Sequence, residues 1–296
     1  MIDSDTSPTQ AKLAIYGEAL FDCFQDQEKL GGAPFNVAWH LQALAEDPVF
    51  ISCVGQDDRG DAIKEAMKNW QMRLEGMQTS ADLPTGSVQV TLRGSEPFYE
   101  IKDHVAYDAI SSAKLPVLQN DAIVYHGSLA LRHAANQQSL AHLTQSAAVS
   151  IFVDINLREP WWNKQDLFRL LEKARWIKLN IAELQALGFN SADIAQDMQR
   201  MQSHFQAEHL IVTRGEQGVM VRCNDGELIE FSAGKVEQVA DSVGAGDAFS
   251  AMYLHGLMQG WPVNRIVPKA RDFAAAVVGL RGAVTEDRNF YQKFID

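Results

Sequence analysis

Cysteine is scarce in this chain: Cys23, Cys53 and Cys223 are the only three, far apart and odd in number. No CxxC pair and no Cys/His metal spacing occurs, so neither a disulfide framework nor a structural zinc site is favoured. Small buried apolar residues in a reducing compartment are the simpler reading. Long apolar runs are missing as well. The longest, Phe273 to Leu280, is far too short to span a bilayer. Met1 to Lys12 is polar, carries Asp3, Asp5 and Pro8, and lacks the apolar stretch of a signal peptide. A cytoplasmic protein with no membrane partner is therefore expected.

Positive charge is the third shortage. Lys and Arg number 26 against 38 Asp and Glu, a formal net charge of −12, and no Lys/Arg-rich block appears. Binding to phosphate backbones needs clustered positive charge, so no nucleic-acid partner is expected. Anionic nucleotides stay open to such a chain where helix N-termini and magnesium supply local positive potential. Several catalytic signatures are absent too. Without Gly-x-x-x-x-Gly-Lys-Ser/Thr the chain is no P-loop kinase. Gly244 and Gly246 lack the third glycine and the acidic residue of a Rossmann dinucleotide site. Neither HExxH nor a Gly-x-Ser-x-Gly elbow is present.

What remains is ordinary globular composition, 46% hydrophobic and 22% charged over 296 residues. Short β-rich apolar runs alternate with amphipathic stretches. Strands are predicted at Leu13–Tyr16, Val49–Cys53, Ala122–Tyr125, Ser150–Val153, Trp176–Leu179 and His209–Thr213. Helices are predicted at Pro34–Ala45, Gly60–Trp70, Ala134–Ala147, Lys164–Ala174, Ile181–Leu187 and Ile194–Phe205. That alternation is the pattern of a mostly parallel sheet covered by helices on both faces, with ligands beyond the C-terminal strand ends. Gly218–Arg222 and Leu228–Phe231 flank the hairpin turn Asn224-Asp225-Gly226. Two long helices, Ala245–Gln259 and Val263–Arg281, follow. Ala19–Leu30 and Val88–Tyr107 break the rhythm as extended pairs with no helix behind them. They read as a small half-exposed sheet beside the main one, a lid, or as an ordinary edge hairpin of the core. No linker divides the chain, so residues 1–296 are expected to form one domain, with lid segments near 19–30 and 88–107.

The sharpest local element is Val239-Ala240-Asp241-Ser242-Val243-Gly244-Ala245-Gly246-Asp247-Ala248-Phe249. Two glycines one residue apart let the backbone turn tightly and bare its N–H groups, and a strong helical pattern starts directly behind them. Free N–H groups and the helix dipole then face whatever lies in front, and an anion is the natural guest. Asp247, in the first turn, reads equally as a common first-turn Asp or as a carboxylate able to take a proton from an attacking hydroxyl.

This stretch resembles the C-terminal signature of the ribokinase-like (PfkB) carbohydrate kinases, with Ser242 where Thr is usual. Gly31-Gly32-Ala33-Pro34-Phe35-Asn36 resembles the N-terminal feature of that family, in the form of its fructokinase branch. Further matches follow in family order: Gly17 to Asp22, Val54 to Gly60, His126-Gly127-Ser128, Asp154-Ile155-Asn156-Leu157-Arg158, Asn180-Ile181-Ala182-Glu183, and Thr213 to Gly218. Each alone is weak; together, each at a strand end or turn, they make chance an unreasonable account.

The resemblance implies a ribokinase-like three-layer α/β/α fold with a small β-sheet lid, and ATP-dependent phosphorylation of a small sugar. D-Fructose is the first choice, 2-keto-3-deoxygluconate and ribose are the alternatives, and a non-catalytic sugar-binding regulator is the competitor from another class. It implies Asp247 as the base, with Gly244, Ala245 and Gly246 cradling the phosphoryl group. Asp22, Gly31, Gly32, Asn36, His126 and Arg158 fall on the sugar side. Asn180, Glu183, Thr213, Gly215 and Gly218 fall on the nucleotide side. Glu183 is expected to place Mg2+ through water, Asp241 and Val243 to border a monovalent cation such as K+, and the lid to mediate a homodimer.

Overall fold

The computed structural model describes residues 10–93, 96–145, 148–233 and 243–295. The predicted rhythm is realised as nine strands in one sheet: β1 (Ala11–Tyr16), β4 (Val49–Gly55), β5 (Met77–Ser80), β8 (Leu118–His126), β9 (Ser150–Asp154), β10 (Trp176–Asn180), β11 (His209–Thr213), β12 (Val219–Cys223) and β13 (Leu228–Phe231). Their spatial order is β13-β12-β11-β10-β9-β8-β1-β4-β5. Pairing is parallel from β5 through β11, and antiparallel where the hairpin β12–β13 closes one edge.

Alternation along the strands sorts side chains to the two faces. Leu13 and Ile15 pack with α1 (Ala33–Ala43), α7 (Ala245–Met258) and α8 (Val263–Val278). The α2 helix (Asp58–Asn69) joins the same face through Ile63 and Met67. On the other face, Ala14, Tyr16 and Val124 pack with Leu140 and Leu143 of α3 (Ala134–Gln145). Further along that face, Val153, Ile177 and Val212 pack with α4 (Lys164–Leu171), α5 (Ile181–Ala186) and α6 (Ile194–Phe205). The result is a three-layer α/β/α body of the ribokinase-like type. Among the described residues no helix is long and apolar enough to cross a membrane.

The two irregular segments pair with each other. β2 (Leu20–Cys23), β3 (Glu28–Gly31), β6 (Gly86–Arg93) and β7 (Glu96–Ile101) form a separate four-stranded sheet in the order β3-β2-β6-β7. Parallel pairing of β2 with β6, Phe21 opposite Ser87, joins the two excursions. Leu20, Val88 and Val90 give this sheet a small core of its own with Val105 and Tyr107. An edge hairpin of the main sheet would not have that core.

Two boundaries differ from expectation. The second excursion ends as a strand at Ile101, and Ala106–Asp108 is a 3-10 turn whose Tyr107 is fully buried. Strand β5 carries a single apolar residue, Met77, and is held only at the sheet edge by β4, so its sequence bears little β pattern. The Val54 to Gly60 motif also finds a structural reason. Asp57 caps α2 by accepting from the Gly60 amide at 2.8 Å, and it takes both the amide and the hydroxyl of Thr85 at 2.8 and 2.6 Å.

Candidate active site

Topology picks out one place for a ligand. From β1 the chain runs outward to β4 and β5 on one side, then returns to build β8 to β11 on the other. The direction of winding therefore reverses between β1 and β8, whose last residues Tyr16 and His126 lie opposite one another. Crevices outside the carboxyl ends of strands at such a reversal are the usual ligand sites of open α/β sheets.

Beyond β1 come buried Glu18, the small sheet bearing Asp22, and the Gly31-Gly32 turn into α1. That turn requires glycine. Gly32 has φ 108°, and a Cβ on it would lie 2.5 Å from the Glu18 carbonyl oxygen; one on Gly31 would lie 2.8 Å from Asp22 Oδ2. Asn36, one helical turn on, is buried and donates from Nδ2 to Asp247 Oδ2 at 2.8 Å. Its own Oδ1 is buried without a protein partner.

Asp247 stands in the first turn of α7, behind the left-handed Gly244 (φ 83°). A Cβ on Gly244 would come within 2.4 Å of Ala283, so only glycine makes this entry. Some Asp247 surface still meets solvent, yet protein surrounds the carboxylate on most sides. That loss of water pushes its pKa up to about 6. The Asn36 hydrogen bond draws it down, the charge of Asp154 raises it, and Lys178 and Arg158 lower it.

Directly beneath lies a polar cluster that sequence reading did not assemble. Asp154, at the end of β9, and Lys178, in β10, occupy paired positions. Lys178 Nζ donates to Asp154 Oδ2 at 2.7 Å. Ser250, one turn along α7 from Gly246, donates to the same oxygen at 2.7 Å, and the Tyr125 hydroxyl donates at 3.3 Å. All four residues are buried. A Cβ built on Gly246 would sit 3.5 Å from Lys178 Nζ, so a buried ammonium group lies under the proposed anion cradle. One signal was in the sequence, the lone charge in the apolar run Trp176-Ile177-Lys178-Leu179.

Arg158 is exposed and donates from Nη1 to its neighbour's carbonyl, that of Leu157, at 3.1 Å. Its positive charge acts on three acids, Glu18, Asp22 and Asp247, lowering the pKa of each. Burial raises the pKa of Asp22, with Arg158 and Lys29 opposing. Burial likewise lifts Glu18 to about 7, against its own backbone N–H and Arg158, while Asp247 adds to the rise. Glu18 Oε2 has no protein partner. Glu18 thus joins the site without a role predicted from sequence, although it stands within the Gly17 to Asp22 motif. His126, at the reversal point, is buried, and its Nδ1 lies 2.9 Å from the Gly127 carbonyl. Burial takes its pKa down to about 4, so the ring is neutral.

The residues expected on the nucleotide side from sequence lie at the next strand ends. Asn180 and Thr213 are opposite one another on β10 and β11. Asn180 Oδ1 accepts from the Glu183 amide at 2.9 Å and Glu183 Oε2 accepts from the Asn180 amide at 2.8 Å, a reciprocal capping box. Glu183 Oε1 also accepts from the Leu157 amide at 2.8 Å, so one carboxylate ties the β10 end to the loop carrying Arg158. Its pKa is raised, chiefly by burial. Gly215 and Gly218 form the tight turn after β11, closed by the Arg214 amide donating to the Gly218 carbonyl at 2.8 Å. The Arg214 side chain is engaged with the Gln217 carbonyl and Glu230. Val243 is exposed, and Asp241 lies outside the described residues, as does Ser242.

Comparison with known proteins accords with this layout. A fructokinase of Klebsiella pneumoniae is 30% identical over 280 residues, covering 90% of this chain and 90% of its own. The aminoimidazole riboside kinase of Salmonella typhimurium is 25% identical over 294 residues, covering 93% and 91%. A double mutant of fructokinase from Vibrio cholerae O395, solved with fructose, ADP and a potassium ion, superposes with a TM-score of 0.84 at 23% identity, over 97% of this chain and 99% of that one. The model of the pfkB family carbohydrate kinases matches residues 2–288. With that match spanning both the Gly31-Gly32 turn and the Asp247 helix, the chain belongs to the pfkB family of carbohydrate kinases.

Proposed function

We propose that this sugar kinase transfers the γ-phosphoryl group of ATP to a hydroxyl of D-fructose, with Asp247 as the base. The observation that carries the reading is the placement of Asp247. A carboxylate with pKa near 6 stands at the N-terminus of α7, is oriented by Asn36 through one oxygen, and keeps the other for a substrate hydroxyl. As the sugar oxygen bonds to phosphorus, its proton passes to Asp247 and ADP leaves with the electrons of the broken P–O bond. The N–H groups of the Gly244-Ala245-Gly246 turn are the donors for the phosphoryl oxygens, and Lys178 below them is already neutralised by its ion pair with Asp154, so the cradle rests on the backbone.

Asp22, Asn36, Gly31, Gly32 and Arg158 form the sugar side, where the free Asn36 Oδ1 and Glu18 Oε2 are acceptors for sugar hydroxyls. His126 borders it from the reversal point. Asn180, Glu183, Thr213, Gly215 and Gly218 form the nucleotide side. Mg2+, which would neutralise phosphate charge when bound, suits Glu183 through water, because the ion keeps several of its waters and each carboxylate oxygen is already held by one amide hydrogen. A K+ site near Asp241 and Val243 belongs to the same reading. The small sheet acts as a lid over the sugar, and exposed Tyr99 and Phe24 on and beside it offer a surface for a second copy. A mass measurement by light scattering decides between monomer and dimer.

ADP release measured with fructose, 2-keto-3-deoxygluconate, ribose and aminoimidazole riboside tests the activity. Release with another of the four in preference to fructose would overturn the fructose assignment, and sugar binding in calorimetry without ADP release would favour a non-catalytic sugar-binding regulator.

A further inference from the structure

We propose that Asp103, His104 and His133 form a binding site for a transition-metal ion of the zinc class, separate from the Asp247 cleft. The three residues come from two places. Asp103 and His104 lie in the loop that leaves β7 for the main body, and His133 directly precedes α3. One donor atom from each falls within 4.8 Å of the other two. His133 Nε2 is 2.8 Å from Asp103 Oδ1, and His104 Nε2 is 3.7 Å from Asp103 Oδ2. The two imidazole rings lie nearly parallel, at 18° with centroids 5.6 Å apart.

A zinc-class ion holds N and O ligands at about 2.0–2.2 Å, so neighbouring ligand atoms end up roughly 3.3 Å apart. Closure therefore needs a movement on the order of 1 Å. His104 can supply it, since its side chain is 82% exposed and has room to turn toward the other two donors. Asp103 is the fixed point, with Oδ1 held by the His104 amide at 2.9 Å. Three protein ligands leave room for water on the ion, an open site.

The local charge also favours a cation. Arg132 approaches Asp103 at 3.8 Å, but its guanidinium is bound in bidentate fashion to Asp108 at 2.8 and 2.7 Å. Asp108 in turn lies 3.8 Å from His133 Nε2. Two carboxylates against one guanidinium leave a net negative field around two imidazoles. Imidazole with carboxylate selects zinc, nickel or copper over magnesium and calcium, which prefer all-oxygen shells. Ligation through His133 Nε2 puts the ring proton on Nδ1. An occupied site would fasten the return strand of the small sheet to the body.

The second three-donor group, Cys223 with Asp225 and Glu227, is the internal control. Full-length protein freed of metal is titrated calorimetrically with Zn2+ and Ni2+, and the Co2+ form is followed by its visible absorption. One ion per chain is expected, unaffected by millimolar Mg2+ and retained in Cys223→Ser. His104→Ala, at an exposed position with little bearing on folding, should weaken it about tenfold or more, and His133→Ala likewise. Zn2+ should raise the Tm of the wild type, and at the same concentration raise that of His104→Ala by less. Absence of saturable binding, or undiminished binding by a folded His104→Ala/His133→Ala double variant, would overturn the proposal.

Discussion

Asn36 and Asp247 are 211 residues apart in the chain and joined by a 2.8 Å hydrogen bond in the fold. The bond links the first turn of α1 to the first turn of α7, so the helix that follows β3 directly orients the carboxylate behind the Gly244–Gly246 turn. It also tunes that carboxylate. Burial works to keep Asp247 protonated, and the Asn36 donor is the main force holding it ionised.

Replacing Asp247 by Asn keeps the shape and the Asn36 contact but removes the proton acceptor. Turnover should fall by roughly two to four orders of magnitude with nucleotide binding intact. In the wild type, the base works only when ionised. Hence kcat/KM should drop as pH falls through about 6 and level off above it. In Asn36→Ala the donor is lost, the pKa of Asp247 climbs, and the acid limb should move to higher pH. A folded Asp247→Asn enzyme that loses less than tenfold in kcat would remove Asp247 from the role of base.

Lys178→Met should destabilise the fold by about 3–5 kcal/mol, because it leaves Asp154 buried with only hydroxyl partners. Lys178→Met combined with Asp154→Leu removes both charges and should recover much of that loss. Urea unfolding midpoints give both values. Equal midpoints for wild type and Lys178→Met would mean that Asp154 does not depend on the pair.

These contacts mark where sequence reading ends. Eight of the nine main-sheet strands and most helix spans were legible, six strands from local apolar periodicity and the β12–β13 pair from its Asn224-Asp225-Gly226 turn, and the two excursions announced a second sheet by having no helix after them. The Gly244 to Asp247 turn was legible because its glycines, its carboxylate and the helix start are contiguous. Lys178, Asp154, Ser250 and Tyr125 come from four separate elements and become one site only through strand register, which no single segment encodes. Glu18 was hidden differently: it lies between β1 and β2, and its burial is a product of the tertiary fold that no local pattern announces. Strand β5 was missed because an edge strand of four residues with one apolar side chain carries almost no pattern.

Glu18 makes a testable contribution to stability. Its pKa is about 7 in the fold and 4.5 without it, so the native state holds a proton that the unfolded chain has released between those values. Stability from this group is full below about 4.5 and is lost as pH rises through 7, by up to ~3 kcal/mol. Glu18→Gln should therefore be more stable than wild type at pH 8, with the difference vanishing near pH 4.5. Thermal melts across that range provide the check. A gap in Tm that does not change with pH would show that Glu18 is not protonated in the fold.

The choice of sugar turns on the same acids. Fructose is neutral and rich in hydroxyls, and Asp22, Glu18 and Asn36 present acceptors that suit it. Asp22→Ala should weaken fructose binding in calorimetry while ATP binding holds, because Asp22 lies on the small sheet, away from the strand ends that carry Asn180 and Thr213. 2-Keto-3-deoxygluconate brings a carboxylate into a cleft already containing Glu18, Asp22 and Asp247, and Arg158 is the cation whose field reaches all three. Fructose should then exceed it in kcat/KM, by a margin that grows with pH as Glu18 ionises through about 7. Ribose offers a different set of hydroxyls and leaves buried acceptors unpaired, which such sites penalise by roughly 10⁴-fold. Should the keto acid prove the better substrate, Arg158→Gln must abolish that preference, and Arg158 would then be the carboxylate clamp of a kinase with a different sugar.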